Sequence, residues 1–165
     1  MDDDILQSEH CGPNTTCSVR DSILNAIFRK IENEGKTVGK MSDSTMLMLY
    51  DFFGASALLA FDLIDRGFVT ELRSSTSSRK IFQCNSVSSQ FNFHYAFSEC
   101  NYCSCPFFAE MVLKQGSALT CKHHLAIKLL RVAPWLSSVS KIDTRVIADD
   151  QLVDLLAKAV SNYNS

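Results

Sequence analysis

Apolar residues change their period twice along the chain. From Val19 onward Ile23, Leu24, Ile27, Phe28 and Ile31 recur at spacings of three and four, the signature of an amphipathic helix. Asp21 or Ser22 is placed to cap that helix and Gly35 to end it. After Asp43 and Ser44, both good capping residues, Met46, Leu49, Tyr50 and Phe53 repeat at helical spacing. Beyond Gly54 the pattern resumes with Ala57, Leu58, Phe61 and Ile64 until Gly67. This is either one kinked helix or two short ones. Apolar residues occupy both of its faces, which predicts more than one packing partner.

From Phe68 the period falls to two. Phe68 to Arg73 reads as a short strand, Ser74 to Ser78 as a turn, and Arg79 to Cys84 with Phe91 to Phe97 as a hairpin pair around the serine-rich loop 85–89. Phe91, Phe93, Tyr95 and Phe97 alternate with Asn92, His94 and Ala96. Such an aromatic stripe can stack nucleic-acid bases or bury itself against a helix, and core packing is the reading adopted. His94 is expected to face solvent or a partner. Helical patterns return over 106–115, where Pro106 suits a first helical position, over Cys121 to Val132, and after Asp149 through Leu152, Leu155, Leu156 and Ala159. The expected architecture is therefore α+β: N-terminal helices, a small antiparallel sheet with a ββα module, and a C-terminal helix. The expected organisation is a flexible acidic tail over 1–18, a helical region over 19–67, a hairpin and metal module over 68–133, and a linker with a final helix over 134–165.

Composition narrows the class. The 165 residues are 46% hydrophobic and 21% charged with six glycines and three prolines, values of a folded globular domain. The apolar run Met46 to Phe61 carries Asp51 and is shorter than the roughly 20 residues of a membrane span. Met1-Asp2-Asp3-Asp4 is the wrong charge for a secretory signal. The seven cysteines are therefore expected in a reducing compartment, as thiols or metal ligands before disulfides. The net charge of −2 divides into −6 over residues 1–65 and +4 over residues 66–165. That basic half is too weakly charged for an electrostatic footprint of tight autonomous DNA binding.

Four residues carry chemistry. Cys103, Cys105, Cys121 and His123 form a C-x-C, fifteen-residue, C-x-H pattern, and three thiolates with one imidazole complete a tetrahedral zinc shell with no position left for water. Cys103 and Cys105, two apart on an extended segment, point to one side, and Pro106 keeps Cys105 out of the helical region. Cys121 and His123 cannot face each other within a regular helix. They converge only if Cys121 sits at the helix entrance, where free N–H groups also favour a thiolate. Either His123 or His124 can in principle reach the ion. Cys100, three before Cys103, is read as a nearby spectator thiol, and Cys84, Cys11 and Cys17 receive no role.

This pattern resembles the SWIM zinc finger. Residues 55–66, together with Asn101-Tyr102-Cys103-Ser104-Cys105-Pro106 and Cys121-Lys122-His123, are similar to the small SWIM-domain subunits of Shu complexes over about residues 43–160. The resemblance places the ligands on Cys103, Cys105, Cys121 and His123 and implies one structural zinc. It also implies a nuclear adaptor that pairs as a heterodimer with a RecA-type recombinase paralogue and promotes recombinase filament assembly on single-stranded DNA in homologous recombination and repair. The expected partner face is Leu58, Phe61, Asp62 and Ile64. The alternative is direct binding of single-stranded DNA through Lys114, Lys122, Lys128 and Arg131. Catalysis is not expected, because the ligand shell is closed. Gly35-Lys36-Thr37 is not a phosphate loop, since Lys30 stands where that motif needs glycine.

Overall fold

The computed structural model describes residues 19–85, 93–97, 99, 101–136 and 142–161. The expected tail over 1–18, most of the loop over 85–89, and Phe91, Cys11, Cys17 and Cys100 lie outside the described residues. Helix α1 spans Val19–Val38 and buries Ile27, Phe28 and Ile31, three of the five residues whose spacing marks it. Asp21 and Ser22 stand inside it rather than ahead of it. Gly35 does not end it either. The helix runs on to Gly39, whose φ of 69° breaks the winding. Gly35 is instead a close-packing site: a Cβ there would lie 2.0 Å from Nε1 of Trp135.

Helix α2, Asp43–Phe53, is capped by Ser42, one residue ahead of the expected pair; its hydroxyl accepts from Thr45 N at 3.3 Å. The same junction is tied to α1 by Glu34. Its carboxylate accepts from Ser42 N (3.0 Å), Ser42 Oγ (2.8 Å) and Thr45 Oγ1 (2.7 Å). These bonds, Ser42 N–H first and then the Thr45 hydroxyl, hold Glu34 below the usual carboxyl range. Gly54, at φ 55°, then turns the chain by 119° into α3, Ala55–Asp65. There are thus two helices. Phe68 N donates to Leu63 O and Gly67 N to Ile64 O, a paired closure with Gly67 at φ 64° that ends α3. Among the described residues no single helix is long and apolar enough to cross a membrane.

The strands are β1 Val69–Ser74, β2 Lys80–Asn85, β3 Phe93–Phe97, β4 Tyr102–Cys103 and β5 Asp143–Ile147, in the order β4-β3-β2-β1-β5. The first four form an antiparallel meander. The sheet is nevertheless mixed, not antiparallel throughout, because β5 pairs parallel to β1, Thr70 opposite Asp143 and Ser74 opposite Ile147. This strand lies in the stretch expected to be linker. It is an edge strand with Asp143 to Val146 exposed, so it carries no apolar run to announce it. The connection that makes it parallel is helix α4, Lys122–Val132, with the short 3-10 turn Pro134–Leu136.

Each sheet face has its own cover. Val69, Phe82, Cys84 and Ala96 belong to the main core with α1 to α4. On the opposite face Leu72 and Ile81 meet Leu152 of α5, Asp149–Ser161, with Tyr95, Phe97 and Leu156 packed around them. The aromatic side of β3 is therefore helix-packed core at Tyr95 and Phe97, while Phe93 is exposed. Asp149 accepts hydrogen bonds from Ser74 and Thr76, fastening the start of α5 to the end of β1.

The faces of α2 and α3 differ from their periodicity. α2 buries Thr45, Leu49 and Phe53 and leaves Met46 and Tyr50 out; α3 buries Ser56, Ala57, Ala60, Leu63 and Ile64, with Leu58 60% exposed. α3 and α4 pack closely, and the small buried side chains Ser56, Ala57 and Ala60 of α3 suit such an approach.

Gly35→Ala decides between helix propensity and packing. The substitution favours an isolated helix by about 1 kcal/mol, but overpacking a filled contact costs about 1–3 kcal/mol. Urea unfolding should show net destabilisation. The chain's single tryptophan, Trp135, should report a displaced indole by its fluorescence, and Gly35→Ala combined with Trp135→Leu should recover most of the loss.

Candidate metal centre

The centre is assembled from two backbone segments of opposite character. The first is the β3–β4 hairpin. Asn101 adopts φ 47°, a left-handed conformation that asparagine tolerates better than most residues, and so delivers the chain into β4. Ser104 is clamped to β3 from both sides: its N–H donates to Tyr95 O and its hydroxyl accepts from Tyr95 N, each at 2.9 Å. Cys103 and Cys105, which flank it, are thereby presented on the other side of the strand, both buried. Cys105 then stands just ahead of the helical turn begun by Pro106, and its sulfur accepts from Phe108 N at 3.3 Å. That turn continues as a wide π-wound helix, Phe108–Lys114.

The second segment is the start of α4. Cys121 is its N-cap, with the extended backbone φ −93°, ψ 165°, and regular winding begins at Lys122. This is the condition under which residues two apart converge. Sγ of Cys103, Cys105 and Cys121 and a ring nitrogen of His123 all lie within 4.8 Å of one another, every one of the four residues buried. Nδ1 of His123 is 3.6 Å from Cys103 Sγ. Zinc–sulfur and zinc–nitrogen bonds of about 2.3 and 2.0 Å at tetrahedral angles separate such ligands by about 3.6 Å. The donor set fits zinc in both chemistry and spacing.

Ionisation points the same way. As free thiols the three cysteines cannot all be anions in so small a volume. Cys105 is held far below the usual thiol range, first by a hydrogen bond from Cys103 and next by one from Cys121. Cys103, the donor to Cys105, is pushed well above that range. Cys121 rises to about 12 although its bond with Cys103 opposes this, because its bond with Cys105 and its burial raise it. A divalent cation is what allows three buried thiolates to coexist.

The neighbouring groups are sorted by the same geometry. His124 turns away and donates from Nε2 to Phe97 O at 3.0 Å, so His123 is the histidine of the centre. Burial lowers His124. Cys84 is fully buried close by, its thiol driven upward chiefly by desolvation. His94 is half-buried, with its ring 4.8 Å from that of His123. Strand alternation carried this signal: if the aromatic side of β3 packs under α5, the side bearing His94 and Ala96 must face the metal ligands, and Ala96 is indeed the register partner of Cys103. Tyr102 ties the hairpin to α5 by donating its hydroxyl to Ala159 O at 3.0 Å.

The other candidate residues are less gathered. Leu58 is exposed, Phe61 and Asp62 are partly so, and Asp62 pairs with Arg66 at 2.7 Å. Ile64 is 2% exposed and belongs to the core, not to a contact face. Lys114 pairs with Glu110 at 3.2 Å, Lys128 lies over the Phe28 ring and Arg131 over the Phe82 ring. Lys122 and Arg131 are roughly 180° apart around α4, at about 100° per residue. The four bases form no common stripe.

Hairpin, helix start and a protein-saturated donor set define a zinc-finger module. Several curated relatives are similar to it in sequence. Zinc finger SWIM domain-containing protein 7 of Homo sapiens is 38% identical over 117 residues, 71% of this chain and 77% of the relative. The Mus musculus protein of that name is 38% identical over 117 residues, 71% of each chain. That of Danio rerio is 29% identical over 137 residues, 83% of this chain and 91% of the relative. The chain belongs to the zinc finger SWIM domain-containing protein 7 family. No family-level sequence profile and no solved structure matches it.

Structural zinc contributes an apparent 10–16 kcal/mol or so, as much as the whole stability of a domain, about 5–15 kcal/mol. His123→Ala or Cys121→Ser should therefore lose stoichiometric zinc and unfold the module, while His124→Ala should keep its zinc and lose only stability; metal analysis beside circular dichroism separates the two. Zinc affinity should also fall as pH is lowered, by about tenfold per pH unit for each proton displaced. The raised thiols of Cys103 and Cys121 must discharge on binding, which chelator competition across a pH series measures.

Proposed function

We propose that the chain is an adaptor held in shape by one structural zinc ion, and that it acts by binding rather than by catalysis. The observation that carries this reading is the saturated donor set. With Cys103, Cys105, Cys121 and His123 all buried and mutually within 4.8 Å, the ion has four protein ligands and no position for a substrate or a reactive water. Its work is to fix the hairpin against α4. The surface that remains for function is apolar and helical: Met46, Leu47 and Tyr50 on α2 and Leu58 and Leu59 on α3 are all exposed, a concentration of large apolar side chains that marks interaction surfaces.

The role implied by the family resemblance suits such a surface. The chain pairs as a heterodimer with a RecA-type recombinase paralogue in the nucleus, and the pair favours recombinase filament assembly on single-stranded DNA during homologous recombination and repair. DNA is reached through the partner, in keeping with the dispersal of Lys114, Lys122, Lys128 and Arg131.

Co-expression with a candidate recombinase paralogue tests this. Leu58→Asp, at a position 60% exposed and outside the core, should leave melting within about 0.5 kcal/mol of the parent yet weaken co-purification at least tenfold. The isolated chain should show no salt-sensitive anisotropy change with a single-stranded oligonucleotide. A steep salt dependence of binding by the chain alone, or a Leu58→Asp chain that holds its partner unchanged, defeats the proposal.

A further inference from the structure

Beside the metal centre lies an open cleft of about 250 Å³, walled by Ser56 and Leu59 of α3, by Phe107, and by His94, Lys122 and His123. Small-molecule sites run to about 300–1,000 Å³, so this cleft suits one or two side chains better than a cofactor. Its walls are mainly apolar, and Leu59 and Phe107 are 44% and 42% exposed around it.

Two polar groups on it lack what they need. Nδ1 of His123 is turned to Cys103 Sγ, and a neutral ring that gives Nδ1 to the ion carries its proton on Nε2, at the opposite edge. That Nε2 is buried and has no hydrogen-bond partner among the described residues. Histidines that hold a metal almost always give the other N–H to a carboxylate, carbonyl or water. Lys122 is the one cationic side chain of the cleft, which Cys105 also lines, and whereas six other basic residues form ion pairs among the described residues, Lys122 forms none.

From these we infer that the cleft is a docking site for a segment of a partner protein that inserts a bulky apolar side chain beside a carboxylate. The apolar side chain fills the space between Leu59 and Phe107, and the carboxylate pairs with Lys122 beside the buried His123 ring. A nucleic acid suits it less well, because phosphates need several cations and the cleft has one. The inference deepens the adaptor reading and rests on it: partner and zinc share His123, so docking also protects the ion.

The test uses the full zinc-loaded chain and a random-peptide display library. Peptides that the chain enriches should share a large apolar residue next to Asp or Glu. Their affinity should fall about tenfold in Lys122→Gln, as for loss of a desolvated charge partner, and at least as much in Leu59→Lys, with zinc content and melting unchanged in both. Binding should shift the ¹⁵N resonance of His123 Nε2 and slow zinc release to a chelator. The proposal is overturned if enriched peptides bind both variants as tightly as the parent, if no such motif is enriched, or if a single-stranded oligonucleotide displaces them from the cleft. The two readings fail separately. A recombinase-type subunit captured equally by parent and both variants removes the cleft and leaves the adaptor. A parent chain that recruits no such subunit yet selects these peptides removes the adaptor and supports the cleft.

Discussion

The structure depends on one convergence: the edge of a sheet and the first residue of a helix must reach a common point with four donor atoms. The helical segment could not do this in a regular conformation throughout. The strand supplies its pair because residues two apart share a side. The helix supplies its pair only because Cys121 remains extended at ψ 165° while His123 is already wound. Fixing that junction fixes the direction of α4. The direction of α4 in turn decides which side of α3 is buried, where Trp135 lands on α1, and on which edge of the sheet β5 arrives.

The metal ligands were legible because coordination chemistry constrains residue type and spacing together, and no packing requirement imitates a Cys-x-Cys with a Cys-x-His. The first three strands of the meander were legible from alternation, whereas β4, Tyr102–Cys103, is too short to alternate. β5 was not legible either. A strand at an edge, exposed from Asp143 to Val146, takes its stability from backbone pairing with β1 and needs no apolar pattern. Gly35 was misread for a related reason. Glycine marks helix ends when it must adopt a positive φ, but it also marks helix interiors where another side chain comes too close for a Cβ, and only Trp135, a hundred residues away in sequence, distinguishes the two.

The faces of α2 and α3 show where periodicity misleads. Counting large apolar residues put Ile64 on the same side as Leu58 and passed over Ala60, whereas α3 buries Ser56, Ala57, Ala60 and Ile64 and leaves Leu58 and Leu59 outward. In a short helix that is apolar on both sides, size rather than hydrophobicity decides which side is core. The larger side chains then become the surface that the proposed partner would cover. His94 is the mirror case, a polar residue drawn inward because its strand neighbours on that side are the metal hairpin.

The parallel return of β5 bears on the order in which the molecule assembles. Cys103 and Cys121 close a loop of 18 residues, but Thr70 and Asp143 must find one another across 73. The longer closure costs about 1 kcal/mol more in chain entropy and repays it only once α4 already lies across the sheet. On a chain emerging from its N-terminus, the finger is complete while the fifth strand and its helix are still unmade. Those last elements are fastened by the pairing of β5 with β1, by Leu152 on Leu72 and Ile81, and by the bonds of Asp149 at Ser74 and Thr76 and of Tyr102 at Ala159. The segment from Asp143 to Ser161 is thus a clasp, the last part of the fold to close over a centre that is already complete.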